Sequence, residues 1–220
     1  MKWERARTDK QKEKRISEIV SATDRLFKKY GYDSITFVSI AKEANFTRSN
    51  LYKYFNSKEE IFLELFKKDI SLWRKALVAK YPRDKNYSIK EFASIWVTVM
   101  NKHKRLLDLI GIWFSSLESQ CSVESLTKFK LRTKDELKML QELLCTVFPA
   151  MKPKRAAEFI HLQIASAIGL YQMTNLSENQ KKVLQNPELR DMNIDFYKYY
   201  MSSVEHLISG LLDQDKERYG

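Results

Sequence analysis

The decapeptide FTRSNLYKYF, Phe46 to Phe55, puts four aromatics beside a threonine, an arginine, a serine, an asparagine and a lysine. On a helical wheel it separates into two faces. Leu51 centres one side with Phe55 near it, and Thr47 and Tyr54 flank them. Ser49 and Lys53 point the opposite way, Asn50 and Tyr52 lie on the sides, and Arg48 sits in the first turn at the boundary. One narrow apolar seam, supported by Phe46, Ile40 and Ala44, therefore carries a face of hydroxyl, amide, phenol and ammonium groups. Such a face is either merely solvated or built to touch a partner.

The flanking sequence supplies the setting. Ile16, Ile19, Val20, Thr23, Phe27 and Tyr30 recur at helical spacing, which predicts a helix from about Asp9 to Tyr30. Gly31 stands where a left-handed cap needs glycine. Thr36 can cap a second short helix with Ile40, Ala41 and Ala44 inward. Asn45 ends it, a residue that tolerates the left-handed region. Thr47 then caps a third helix, through about Tyr54. Two short helices over a turn of about four residues have helix-turn-helix geometry, with the second one shaped for the major groove. The run SKEE, 57–60, reads as a capping box opening a fourth helix, with Phe62, Phe66, Ile70, Trp73 and Leu77 inward.

Beyond Pro82 the periodicity stays helical, near 88–103, 104–118, 122–147, 153–176 and 191–213. Pro149 with Pro153, and a polar segment from Ser177 to Asn186 ahead of Pro187, mark the breaks. The expected fold is all-α: a helix-turn-helix head over 1–56, joined by a long helix to a helical domain over 57–220.

Charge points the same way. The chain of 220 residues carries a formal charge of +11, and residues 1–80 hold 19 Lys and Arg against 11 Asp and Glu. That is the footprint of a polyanion partner, nucleic acid before an anionic membrane surface. No apolar run approaches the roughly 18 residues of a membrane span. No secretory signal follows the charged start, so a cytoplasmic location is expected. Cys121 and Cys145 lack metal spacing, and His103, His161 and His206 are far apart in sequence. Without a glycine-rich phosphate loop, HExxH or CxxC, no catalytic residue, metal or cofactor is assigned, and an enzyme is not expected.

In this setting Arg48 can chelate guanine and Asn50 can pair with adenine. Tyr52 and Lys53 can hold phosphates. The amides at the start of the fourth helix, with Lys58, form a further phosphate clamp, and Thr36 is placed to do the same at the second helix.

The segment LFKKYGYDSITFVSIAKEANFTRSNLYKYFNSKEEIF, Leu26 to Phe62, resembles the DNA-binding domain of TetR-type transcriptional regulators. The resemblance rests on Phe27, Tyr30-Gly31-Tyr32, Thr36, Ile40-Ala41, Ala44, Leu51-Tyr52, Phe55, Lys58-Glu59-Glu60 and Ile61, about 50 residues in all. It implies an all-α homodimer whose heads enter successive major grooves of a roughly palindromic operator. It also implies a variable C-terminal domain that binds a small molecule and pairs through its last two long helices. Thr36, Tyr52 and Lys58 match phosphate-contacting places, Thr47, Arg48, Ser49 and Asn50 the variable reading positions, and Tyr54 a place that lies against DNA. Two departures are visible. Asn45 replaces the usual turn glycine, and Phe37 and Val38 put apolar groups where some members have polar DNA contacts.

For the C-terminal two-thirds, Trp96, Met100, His103, Trp113, Phe114, Gln163 and Tyr171 are candidates for lining an effector site. Ala165, Ser166, Ala167 and Gly169 permit close helix approach in 153–176. The expected function is a ligand-responsive repressor that binds double-stranded DNA. The competing reading is a DNA-bound adaptor or scaffold whose C-terminal domain holds a protein partner.

Overall fold

The computed structural model describes residues 2–217, with side chains for residues 9–113 and 116–213. The described residues hold no strand. Ten α-helices follow one another: α1 (Lys2–Tyr30), α2 (Phe37–Glu43), α3 (Arg48–Leu51), α4 (Lys58–Val78), α5 (Ile89–Asn101), α6 (Lys104–Ile112), α7 (Val123–Val147), α8 (Pro153–Thr174), α9 (Glu178–Val183) and α10 (Phe196–Glu217). A π-helical turn, Trp113–Leu117, and a 3-10 turn, Glu118–Gln120, lie between α6 and α7.

The chain divides into two compact units. One runs to Lys68 and takes in Ile112–Leu131; the other comprises Asp69–Gly111 and the chain from Arg132 on. Helix α4 belongs to the first through Lys68 and to the second from Asp69.

The first unit is built on Ile19, Ala22, Ile35, Ile40, Leu51, Ile61, Phe62, Leu65 and Phe66, all nearly or fully buried. Phe27 and Tyr32 meet the Phe62 ring edge-on, at 5.3 and 5.0 Å. Phe66, Trp113 and Phe129 form a second aromatic group, with ring centres 4.9 to 5.6 Å apart. Thus 112–131 contributes to the core of the same unit as the helix-turn-helix.

Several local expectations meet the structure directly. Gly31 has φ 71 and its amide donates to Phe27 at 3.0 Å, closing α1 as a left-handed cap. Asn45 has φ 58 and alone among the described non-glycine residues is left-handed. Helix α1 begins earlier than the apolar periodicity predicts, at Lys2. Residues 2–15 are rich in Lys, Arg, Glu and Gln, good helix formers that carry no apolar stripe. Helix α3 is shorter than predicted. The Lys53 and Tyr54 amides bond three residues back, to Asn50 and Leu51 at 3.2 and 3.0 Å. This tighter turn carries Phe55 into the core. Helix α9 falls in a stretch expected to be a break. Its Ser177–Gln180 capping box forms, but it buries no residue, so it leaves no periodic trace.

In the second unit Phe92 lies among Tyr81, Trp96, Phe148 and Phe159, with centres 5.1 to 6.0 Å away. Helix α10 packs on α8 and α5, burying Tyr200, Val204, Ile208 and Leu211. Ser203 donates to Ser166 at 2.9 Å across the α8–α10 contact, and Ala167 is fully buried. Ala165 and Gly169 face outward with Leu162 and Met173.

Candidate nucleic-acid interface and effector core

Thr36 is exposed and caps α2. Its hydroxyl accepts from the Ser39 amide at 3.1 Å, while the Ser39 hydroxyl accepts from the Thr36 amide at 3.0 Å. Arg25 pairs with Glu43 at 2.6 Å, tying α1 to the end of α2. The Phe46 amide then donates to Ala41 at 2.8 Å, and Thr47 caps α3 by accepting from the Asn50 amide at 3.2 Å.

Leu51, fully buried, and Phe55, at 6% exposure, anchor this turn. Thr47, Arg48, Ser49, Asn50, Tyr52 and Lys53 are all exposed. The Thr47 and Ser49 hydroxyls are 3.1 Å apart. Arg48 donates to the Tyr52 hydroxyl at 3.1 Å, and the Tyr52 ring stacks obliquely on Phe37 at 4.6 Å. Phe37 of α2, one of the two apolar departures from the resembled pattern, is thus the backing of Tyr52. The side chains of Asn50 and Lys53 have no partner among the described residues. Tyr54 is half-buried against Phe46, ring centres 6.0 Å apart.

Lys58 is also half-buried. Its ammonium donates to Ile35 at 2.9 Å and Tyr32 at 3.4 Å, and lies 4.1 Å from the centre of the Tyr32 ring. It clasps the α1–α2 connection, with one of its three donors left for an external acceptor.

Sequence reasoning missed the partners that hold this surface. Arg15 lies over the Phe46 ring at 5.6 Å. Glu60, at 7% exposure, reaches back to the Asn56 amide at 2.8 Å, one residue earlier than a capping box requires. It also accepts from Ser122 at 3.0 Å and Ser125 at 2.7 Å. Burial pushes its carboxyl up, but the Asn56 amide, Ser125, the Asn56 side chain and Ser122 more than offset that, leaving it below its ordinary value. No spacing signal links residues 62 and 65 positions apart.

The effector candidates separate. Trp96, Met100 and Gln163 are buried in the second unit. The Trp96 indole donates to Gln163 Oε1 and the Tyr200 oxygen, both at 3.2 Å, and the Tyr200 hydroxyl donates to Gln163 Oε1. Tyr200 therefore joins this group without having been singled out. Gln163 Nε2 and the indole nitrogen of Trp73, whose ring meets Trp96 at 5.5 Å, are buried without a hydrogen-bond partner among the described residues. His103 is half-buried with Nδ1 2.7 Å from the Val99 carbonyl, and Tyr171 donates to Asp108 at 2.8 Å. Trp113 belongs to the first unit, beside Phe66 and Phe129. Phe114 lies outside the residues whose side chains are described.

No helix among the described residues is long and apolar enough to cross a membrane. Among the same residues no group of three His, Cys, Asp or Glu can hold a metal ion.

Residues 19–65 match the family model described as bacterial regulatory proteins, tetR family, and residues 67–215 match the tetracyclin repressor-like C-terminal domain. An uncharacterized HTH-type transcriptional regulator of Bacillus subtilis, YfiR, is 38% identical over 55 residues, which are 25% of this chain and 27% of that protein. The chain thus matches little more than a quarter of that relative. Among solved structures, the fatty acid degradation regulator FadR of Bacillus halodurans superposes with a TM-score of 0.57 at 18% identity, over 90% of this chain and 96% of that one. FadR of Bacillus subtilis, solved with stearoyl-CoA, superposes at 0.56 and 19% identity, over 88% and 98%. At these identities the likeness is one of fold.

Proposed function

The chain belongs to the tetR family of bacterial regulatory proteins, and on that premise we propose that it is a ligand-responsive repressor gripping a palindromic operator as a homodimer. One observation carries the DNA-binding part. Thr47, Arg48, Ser49, Asn50, Tyr52 and Lys53 form a continuous exposed polar surface on a turn whose Leu51 and Phe55 are buried. Arg48 and Asn50 read bases; Thr36, Tyr52 and Lys53 hold phosphates, with Tyr54 at the edge and Lys58 offering its free donor.

Dimerisation would use the outward faces of α8 and α10. Ala165 and Gly169 on α8 and Gly210 on α10 are exposed and small, so two copies can approach closely. Leu162, Met173 and Tyr199 supply apolar area beside them.

An effector is favoured over a protein partner by the two buried donors at Trp73 and Gln163. An unpaired buried N–H costs about 1–3 kcal/mol. A small molecule with an acceptor oxygen, seated among Trp73, Trp96 and Gln163, would satisfy them. FadR of Bacillus subtilis was solved with an acyl-CoA; a thioester carbonyl is one such acceptor.

The test begins with selection of bound duplexes from random DNA, followed by titration of the selected sequence. Two half-sites with two-fold symmetry and an Arg48→Ala loss of base preference are expected. Unchanged affinity and preference in Arg48→Ala overturns the assignment of the reading face.

A further inference from the structure

The described side chains of α1 open with a fully exposed stretch. From Asp9 to Arg15, sequence DKQKEKR, every side chain is exposed; burial begins partway at Ile16 and is complete at Ile19. The DNA-binding family match also starts at residue 19. Residues 2–15 hold seven cations, Lys2, Arg5, Arg7, Lys10, Lys12, Lys14 and Arg15, against Glu4, Asp9 and Glu13. Lys10, Lys12 and Lys14 have no partner among the described residues.

The extension continues the packed turns of α1 and needs no nucleus of its own, but with no apolar face it gains no tertiary support and must rest on helix propensity. Cations in its opening turns also oppose the helix dipole. A polyanion alongside relieves both penalties. The base of the extension is fixed next to the reading surface: Arg15 pairs with Glu18 at 2.8 Å and lies over Phe46, the residue before the α3 cap Thr47.

We infer that the N-terminal extension of α1 is a second DNA contact, gripping phosphates that flank the sequence read by α3. This rests on the DNA-binding reading above. Lys2 to Arg15 spans about 20 Å at 1.5 Å per residue, or about six base pairs. The contact is to backbone, so it adds affinity and salt dependence without sequence preference. An anionic membrane suits the segment less well, since residues 2–15 offer only Trp3 and Ala6 as apolar residues, too few for the continuous apolar face of a membrane-surface helix.

The experiment compares the full chain with the double variant K10Q/K14Q, whose two lysines share one face of α1, by fluorescence anisotropy across a salt series. Two duplexes are used: the selected operator trimmed to the recognised sequence, and the same operator with ten further base pairs on each side. On the long duplex the variant's log–log salt slope should be shallower by about 1.8 units per head, at about 0.9 per phosphate contact. On the trimmed duplex the two proteins should agree, which also shows the variant folded. Equal slopes on the long duplex overturn the inference while leaving the Arg48 reading intact. A parent chain with no salt-dependent duplex binding overturns both. Equal slopes together with lysine-dependent sedimentation on phosphatidylserine vesicles replace DNA by a membrane surface.

Discussion

Arg48 donates to the Tyr52 hydroxyl at 3.1 Å, its guanidinium 5.6 Å from the centre of the same ring. The pair is one helical turn apart, and Phe37 backs the ring from α2. In the proposed reading a long flexible side chain that presents two donors to a base edge is thereby positioned in advance. Tyr52→Phe keeps the ring and removes the acceptor. Its expected effect is a relaxed preference at the base pair assigned to Arg48, at a smaller cost than Arg48→Ala, for which about 1–3 kcal/mol is expected. A double-mutant cycle in the binding titration checks the coupling; strict additivity would mean that Tyr52 does not position Arg48.

Lys58 clasps the α1–α2 connection and, in the proposed reading, also holds a phosphate. Lys58→Met retains the stem and removes the ammonium from the Ile35 and Tyr32 carbonyls. Stability in urea should fall by about 1 kcal/mol. Affinity should weaken alike for all sequences, and the salt slope should flatten by about one unit. A stability loss with an unchanged slope would confine Lys58 to the clasp.

Glu60 should make the first unit acid-sensitive. Its folded carboxyl lies below the ordinary value of 4.5. The stabilisation is therefore fully present above the unfolded value and is lost as pH falls through the lower, folded value. Ser125→Ala removes one bond to the charged carboxylate, at an expected cost of about 1.5 kcal/mol near neutrality. Urea unfolding at pH 7 and pH 3 should show the difference shrinking at the lower pH. An equal penalty at both would place the effect in packing rather than in the carboxylate.

Two backbone positions make the same demand on substitution. Gly31 and Asn45 both sit at positive φ, 71° and 58°. Gly31→Ala should lose about 1 kcal/mol even though an added Cβ at Gly31 meets nothing within 4 Å, because the penalty is conformational. Asn45→Gly should hold or raise stability, whereas Asn45→Ala should lower it. Thermal unfolding by circular dichroism distinguishes these.

The buried network in the second unit gives a test of the effector reading. Gln163→Met roughly conserves volume while removing the unpaired amide donor and the acceptor shared by Trp96 and Tyr200. Protein purified from its own host should retain a small-molecule mass in native mass spectrometry, and the variant should lose it. Retention of the same mass by the variant moves the effector away from Gln163.

Local chemistry in the chain determined the all-helical architecture, the helix-turn-helix and the two left-handed turns. Helical spacing, hydroxyl caps and the conformational tolerance of Gly31 and Asn45 act over a few residues, so they can be read in order. Leu51 and Phe55 against Arg48, Asn50 and Lys53 follow from the same wheel. The early start of α1 and the unburied α9 escaped, since neither has an apolar stripe. Tertiary structure decided what brings distant residues together. Glu60 meets Ser122 and Ser125, Trp113 joins Phe66 rather than Trp96, and Tyr200 completes the Trp96–Gln163 network. Those pairings depend on how helices far apart in the chain pack, and helical periodicity says which face of a helix is buried but not which helix covers it.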